Sequence, residues 1–268
     1  MPNALFFHEP PCTANVTVAV SLETNRRQGF LASAAGCYAL TSTAFRECDA
    51  RVLAIFDLDN TLIAGDSDYL WGEYLGERGA VDRRQYDRLN AGYLKQYQEG
   101  TLDINEFLRF SLKPLAESAW TNLYRWRMDF LAKKIVPILL PKAQELIEIH
   151  RRQQHQLLII TSTNRFVTEP IADRLGIPHL IATEPEFLNG QYTGRVVGTP
   201  SFAAGKVTRL FAWLSDRKLE PEEIWCYSDS HNDVALLESA TRPVAVDPDP
   251  VLQREALTRG WPILSLRS

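Results

Sequence analysis

Residues 52–56 read VLAIF, five consecutive apolar residues that run straight into Asp57-Leu58-Asp59-Asn60-Thr61. So short and uniform an apolar run suits a central parallel strand buried on both faces. A parallel strand reaches its neighbour only through a crossover, usually a helix, and the downstream sequence supplies crossovers. Helical patterns fill 67–138. After Pro141 the pattern alternates, with helices at 142–154, 165–175, 206–214 and 232–238 and a last one from 251. Short apolar strands are expected at 157–160, 179–182, 224–227 and 243–246, and a hairpin at 187–197 turns on Asn189-Gly190. The expected fold class is therefore α/β, a Rossmann-like parallel sheet with helices on both faces and an inserted all-helical cap. The expected division is an α/β core at 51–69 and 140–268 with a helical cap at 70–139.

Residues 1–50 differ. They carry few charges, many Ala, Ser and Thr, and no sustained period of 3.6 or 2. The expectation is a disordered leader or an overextended start. The alternative is an export segment, for which Arg26-Arg27 before the apolar stretch 30–40 is a poor twin-arginine match. Cys12, Cys37, Cys48 and Cys226 form no CxxC pair, so free thiols in a reducing, cytoplasmic compartment are expected. The whole chain has 268 residues and a net charge of −4, which offers no basic field for a nucleic-acid backbone. No uninterrupted apolar run is long enough for a membrane span.

Ligands of open α/β sheets bind beyond the carboxyl ends of the strands. Four strand-proximal segments carry suitable chemistry. Asp57 and Asp59 would lie close together after the first strand, and two buried carboxylates call for a proton or a hard divalent cation. The bland reading is a polar turn in which Asp59 or Asn60 caps a helix. Thr161-Ser162-Thr163-Asn164 could donate to phosphate oxygens or cap the next helix. Lys206, after Gly205, could be a phosphate ligand or a solvated charge. Ser228-Asp229-Ser230-His231-Asn232-Asp233 is a second acidic loop or an Asx turn.

Taken together, these pieces from 52 onward resemble the haloacid dehalogenase superfamily of phosphohydrolases, most closely its phosphoserine-phosphatase-like branch. DLDNT matches the first motif, Thr161 the second, Lys206 the third and Asp229 to Asp233 the fourth. The intervals between Asp57, Thr161, Lys206 and Asp229 are 104, 45 and 23 residues. The resemblance implies an aspartyl-phosphate formed on Asp57, with Asp59 as general acid and base. It also implies Mg²⁺ held by Asp57, the Asp59 carbonyl and Asp229, with Thr161, Lys206 and Asn232 on the phosphate and Asp233 behind them. Ser228 and Ser230 replace two glycines common in the fourth motif, which puts that loop's backbone freedom in question. His231 is read as a spacer, since a hard-oxygen site does not call for imidazole.

The substrate is expected to be a small-molecule phosphomonoester. Asp66 matches a position where phosphoserine phosphatases carry a glutamate that meets the substrate amine. An ungapped match from Gly100 puts Ser111 where that branch has an arginine for the substrate carboxylate, with Arg109 two residues away on another helix face. Asp66 and Arg109 are the candidate specificity residues. Trp71, Tyr74, Tyr93, Tyr97, Phe107 and Phe110 could shelter a flat ring or form the cap's core. IITSTNRFVTEPIA and GRVVGTP resemble a subgroup often assigned as histidinol-phosphate phosphatases, which implies an amine-bearing substrate of amino-acid biosynthesis. Phosphoserine hydrolysis, transfer to an alcohol acceptor and a non-catalytic phosphate-binding module remain the alternatives.

Overall fold

The computed structural model describes residues 51–267; the expectations for 1–50, including Cys12, Cys37 and Cys48, lie outside them. The first strand, β1 (Val52–Phe56), is followed by α1 (Ser67–Glu77), α2 (Arg83–Gln98), α3 (Ile104–Ser111), α4 (Lys113–Glu117) and α5 (Trp120–Phe130). A π-helical turn (Leu131–Ile135) and a 3₁₀ turn (Val136–Ile138) return the chain to α6 (Pro141–Arg152). Then come β2 (Gln156–Asn164), α7 (Arg165–Leu175), β3 (His179–Thr183), the hairpin β4 (Pro185–Leu188) and β5 (Gln191–Val196), and α8 (Ala204–Arg217). β6 (Glu223–Ser228), a 3₁₀ turn (His231–Asp233), α9 (Val234–Glu238), β7 (Arg242–Val246), α10 (Pro250–Arg259) and β8 (Ile263–Leu264) complete the chain.

The main sheet has six strands in the order β3-β2-β1-β6-β7-β8, and every neighbouring pair is parallel. Strand alternation sorts the side chains onto two faces. Ala54, Phe56, Leu157, Ile159, Tyr227, Val244 and Val246 enter one apolar cluster with helices α1 and α3 to α7. Leu53, Ile55, Leu158, Ile160, Cys226 and Ala245 enter the other with α8, α9 and α10. The reversal of strand order between β1 and β6 is the switch point where such sheets bind ligands.

Most expected elements are present, and the differences have local causes. β2 runs to Asn164 instead of stopping at 160, with a register shift between Ile160 and Asn164 that lets Asn164 pair with Thr183. The two-residue strand β8 is too short to leave a periodic signal. The helix expected at 232–238 begins as a 3₁₀ turn because Ser230 caps it through the Asn232 N–H. α1 begins at Ser67, where the helical pattern was expected to start, and Asp66 Oδ1 caps it there by accepting from the Asp68 and Tyr69 N–H groups. Among the described residues no helix is long and apolar enough to cross a membrane.

Candidate active site

Asp57 leaves the end of β1 with its N–H on the Tyr227 carbonyl at 2.9 Å, so β6 fixes where its side chain begins. Asp57 is 6% exposed. Lys206, the third residue of α8, is 1% exposed and donates from Nζ to Asp57 Oδ1 and to Asp233 Oδ2, each at 2.7 Å. A buried ammonium between two carboxylates stays charged, and Asp233 with Asp57 holds it well above the ordinary lysine range against its desolvation. Ser228 Oγ donates to the same Asp233 oxygen at 2.8 Å, so Asp233 secures the lysine from behind.

Asp59 is set by three donors. The Ser67 N–H reaches Oδ1 at 2.6 Å, while Oδ2 takes Thr163 Oγ1 at 2.9 Å and Thr161 Oγ1 at 3.4 Å. Burial, with the charge on Asp66 next, pushes the Asp59 carboxyl up to about 6 despite these bonds. Asp57 is pushed up by burial and pulled back by Lys206. Asp229 rises through burial and through the charge on Asp57. Thr61 Oγ1 donates to Asp229 Oδ1 at 3.0 Å, accepts from the Asp229 N–H at 3.1 Å and stands 3.5 Å from Asp57 Oδ2, bridging the two acidic loops.

Four carboxylates around one ammonium leave excess negative charge in a desolvated place, and Asp233 Oδ1 is buried without a hydrogen-bond partner. The donors are hard oxygens, which fit a small divalent cation such as Mg²⁺. Among the described residues no cluster of three or more His, Cys, Asp or Glu side chains is arranged as a ligand set. A cation here would find the Asp57 and Asp229 carboxylates and would need oxygens from outside the protein to complete its shell.

These groups open into one cleft between the sheet and the helices that follow β1. Asp57, Asp59 and Asp229 form its floor with Ser162 and Thr163, while Tyr93, Tyr97, Phe107 and Phe202 supply aromatic walls. Tyr97 also ties α2 to the β6 loop. Its hydroxyl donates to Ser230 Oγ at 3.1 Å and its carbonyl accepts from Asn232 Nδ2 at 3.4 Å.

Asp57, Asp59, Lys206, Asp229 and Asp233 thus converge as expected from the sequence. Thr161 is wholly buried and sits behind the wall, and Thr163, two residues on along the same strand, takes the place facing the cleft. That offset of two was available from strand periodicity once β2 was known to continue. Thr61 was the other omission. Asp66 caps α1 and also lines the cleft. Arg109 is a correction. It is exposed in the last turn of α3 and does not line the cleft, because the inward face of that helix carries Ile104, Phe107 and the buried Ser111. Trp71, Tyr74 and Phe110 likewise pack among other rings outside the cleft. His231 is engaged with Asp249 through both its N–H and its Nδ1, each at 2.7 Å. Ser228 and Ser230 adopt ordinary negative-φ backbone, so the loss of two glycines costs this loop no conformation it needs.

Residues 54–238 match the family model of the haloacid dehalogenase-like hydrolases. The chain is 42% identical over 219 residues to a histidinol-phosphatase of Neisseria meningitidis, covering 80% of this chain and 99% of that protein. It is also 42% identical to a protein of unknown function from Bordetella pertussis whose crystal structure superposes with a TM-score of 0.77, covering 81% of this chain and 99% of that one. A phosphoserine phosphatase structure shares the fold at 18% identity, with a TM-score of 0.60 over 80% of this chain and 93% of that one.

Proposed function

Since the chain belongs to the haloacid dehalogenase-like hydrolases and is a phosphatase, we propose that it hydrolyses a small nitrogen-bearing phosphomonoester, histidinol phosphate first, through an aspartyl-phosphate on Asp57. The observation that carries this reading is the bond pair at Lys206 Nζ, 2.7 Å from both Asp57 and Asp233. It fixes the attacking carboxylate and sets a permanent positive charge where phosphoryl oxygens would develop negative charge.

In the first step an Asp57 oxygen attacks phosphorus and the ester P–O bond breaks. Asp59, held in place by the Ser67 N–H and Thr163, gives its proton to the departing alkoxide. In the second step water attacks phosphorus of the acyl phosphate, Asp59 takes the water proton, and Asp57 leaves as carboxylate with inorganic phosphate. Mg²⁺, held by Asp57, Asp229 and the Asp59 carbonyl, would supply neutralisation of the phosphoryl charge. Thr61 keeps the two ligand loops in register.

The lining of the cleft supports the substrate assignment. Among the described residues its lining includes five aspartates and no lysine, arginine or histidine, so away from the Lys206 ammonium behind Asp57 a substrate carboxylate would meet no cation, while a substrate amine would meet Asp66. That balance disfavours phosphoserine and agrees with the name of the Neisseria relative. A cytoplasmic biosynthetic enzyme is the setting this substrate implies. Steady-state hydrolysis of histidinol phosphate against phosphoserine tests the specificity, with kcat/KM at least about tenfold higher for the former expected. A tenfold preference for phosphoserine overturns it. Asp57→Asn should lower kcat by about 10³-fold or more on every substrate, and full activity in that variant overturns the nucleophile.

A further inference from the structure

Asn90 of α2 is 5% exposed, lines the cleft and takes no part in the phosphoryl transfer. Its Nδ2 donates to the Tyr69 carbonyl of α1 at 3.0 Å. A carbonyl only accepts, so this bond fixes which end of the amide is nitrogen and which is oxygen. The other end, Oδ1, takes no hydrogen bond among the described residues, yet it is not one of the atoms shut off from solvent. The cleft is the space this open acceptor faces. A ligand that expelled water from the cleft without bringing a donor would leave the oxygen unsatisfied, whereas one that carries a donor would not.

The helix sets which part of a substrate can reach it. Asn90, Tyr93, Leu94 and Tyr97 stand at i, i+3, i+4 and i+7 of α2 and share the face that lines the cleft. Tyr97 marks the floor, since its hydroxyl meets Ser230 next to Asp229. Asn90 lies seven residues back, roughly 10 Å along the helix axis, so it serves the end of a substrate remote from phosphorus. Beside it Tyr93 and Phe107 stand edge to face with their centroids 5.5 Å apart, surroundings that suit another flat ring.

We infer that Asn90 Oδ1 is a specificity-determining acceptor that takes a hydrogen bond from a ring N–H at the far end of the substrate. This deepens the substrate reading above and rests on it. The chemistry it selects is a phosphomonoester whose flat nitrogen heterocycle, with a free N–H, lies several bonds beyond the ester oxygen.

The test is a cycle of two substrates and two proteins. The substrates are histidinol phosphate and its derivative methylated on the ring nitrogen farther from the side chain, which lacks the N–H there. The proteins are the unmodified chain and Asn90→Leu, which removes the acceptor at similar volume. The unmodified protein should favour histidinol phosphate over the methylated compound by tenfold or more in kcat/KM, and Asn90→Leu by no more than about threefold. Asn90→Ser, too short to reach the ring, gives the same comparison should leucine disturb the packing of α2 on Gly72. An unmodified protein that hydrolyses phosphoserine as well as histidinol phosphate overturns the substrate reading and the inference together. Where histidinol phosphate is preferred, equal rates on it and its methylated form in the unmodified protein overturn the inference alone. A preference for the unmethylated ring that persists undiminished in the Asn90 variants does the same.

Discussion

Gly205→Ala tests how the backbone around α8 places the lysine. A Cβ at Gly205 would lie 2.2 Å from the Pro200 carbonyl oxygen, and real Cβ contacts do not fall below 3.0 Å. Helix and loop must therefore separate by at least about 0.8 Å, and the loop is already constrained, with Ala203 at φ +47°. Lys206 is the next residue, and its Nζ holds Asp57 and Asp233 at 2.7 Å. Passed on in full, that displacement would stretch both contacts to roughly 3.5 Å, beyond a useful N–H···O bond. Overpacking of this kind costs about 1–3 kcal/mol of stability, and an ångström-scale error at a catalytic group costs up to about 10²-fold in rate. The expected outcome is a kcat on p-nitrophenyl phosphate lowered about 10- to 100-fold, together with a lower urea midpoint. A stable variant with the original kcat would falsify the packing argument. One that loses stability yet turns over within twofold would show that the Pro200 loop yields instead of the helix, breaking the proposed link to Lys206.

Other consequences can be measured on the same protein. His150 is buried with Nε2 on the Tyr227 hydroxyl at 2.8 Å and Nδ1 2.7 Å from His155 Nδ1, and burial with the neighbouring His155 lowers its pKa to about 4. The unfolded chain therefore takes up the proton first as pH falls, so this contribution is intact above about pH 6.5 and is lost between there and about pH 4, at roughly 1.4 kcal/mol per pH unit. Urea denaturation at pH 7 and pH 5 should show a smaller loss for His150→Gln than for the unmodified protein; equal losses would show that His150 is not responsible. Gly92 lies exposed within α2 with nothing within 4 Å of an added Cβ, so Gly92→Ala should add about 0.5–1 kcal/mol of stability, and a lower midpoint would contradict that geometry. Chelation with EDTA should abolish turnover and added Mg²⁺ restore it. Mg²⁺ should also raise the melting temperature of the unmodified protein more than that of Asp229→Asn, and equal shifts in both would remove Asp229 from the ligand set.

The parts of the site legible in the sequence are those whose chemistry is local to a strand end. Asp57 and Asp59 follow an apolar run that suits a buried strand, and Asp229 and Asp233 follow another. Lys206 gave no such sign by itself, being a lysine in a helical pattern, and drew its meaning from its order among the other motifs. Long-range pairing was hidden. Thr61 bonds Asp229 across 168 positions, and Thr163 bonds Asp59 across 104, so neither partner could be named before the sheet order was known. Arg109 was misplaced for a related reason. Sequence proximity alone sets an arginine near the expected substrate, but the inward face of α3 follows from Ile104 and Phe107, and 109 lies off it.

The joining of insertion and sheet in one apolar cluster bears on how such a protein can be rebuilt. Trp71 of α1 packs edge-on against Phe130 of α5 and Phe166 of α7, and the same cluster continues to Phe56 and Ile159 in the sheet. The helical segment is thus a plug as much as a roof. A version with a short linker in its place would bare Phe166 and its neighbours to water and would associate or fail to fold. A transplanted segment would have to bring its own aromatic stopper for that hole before any question of altered substrate preference could be asked of it.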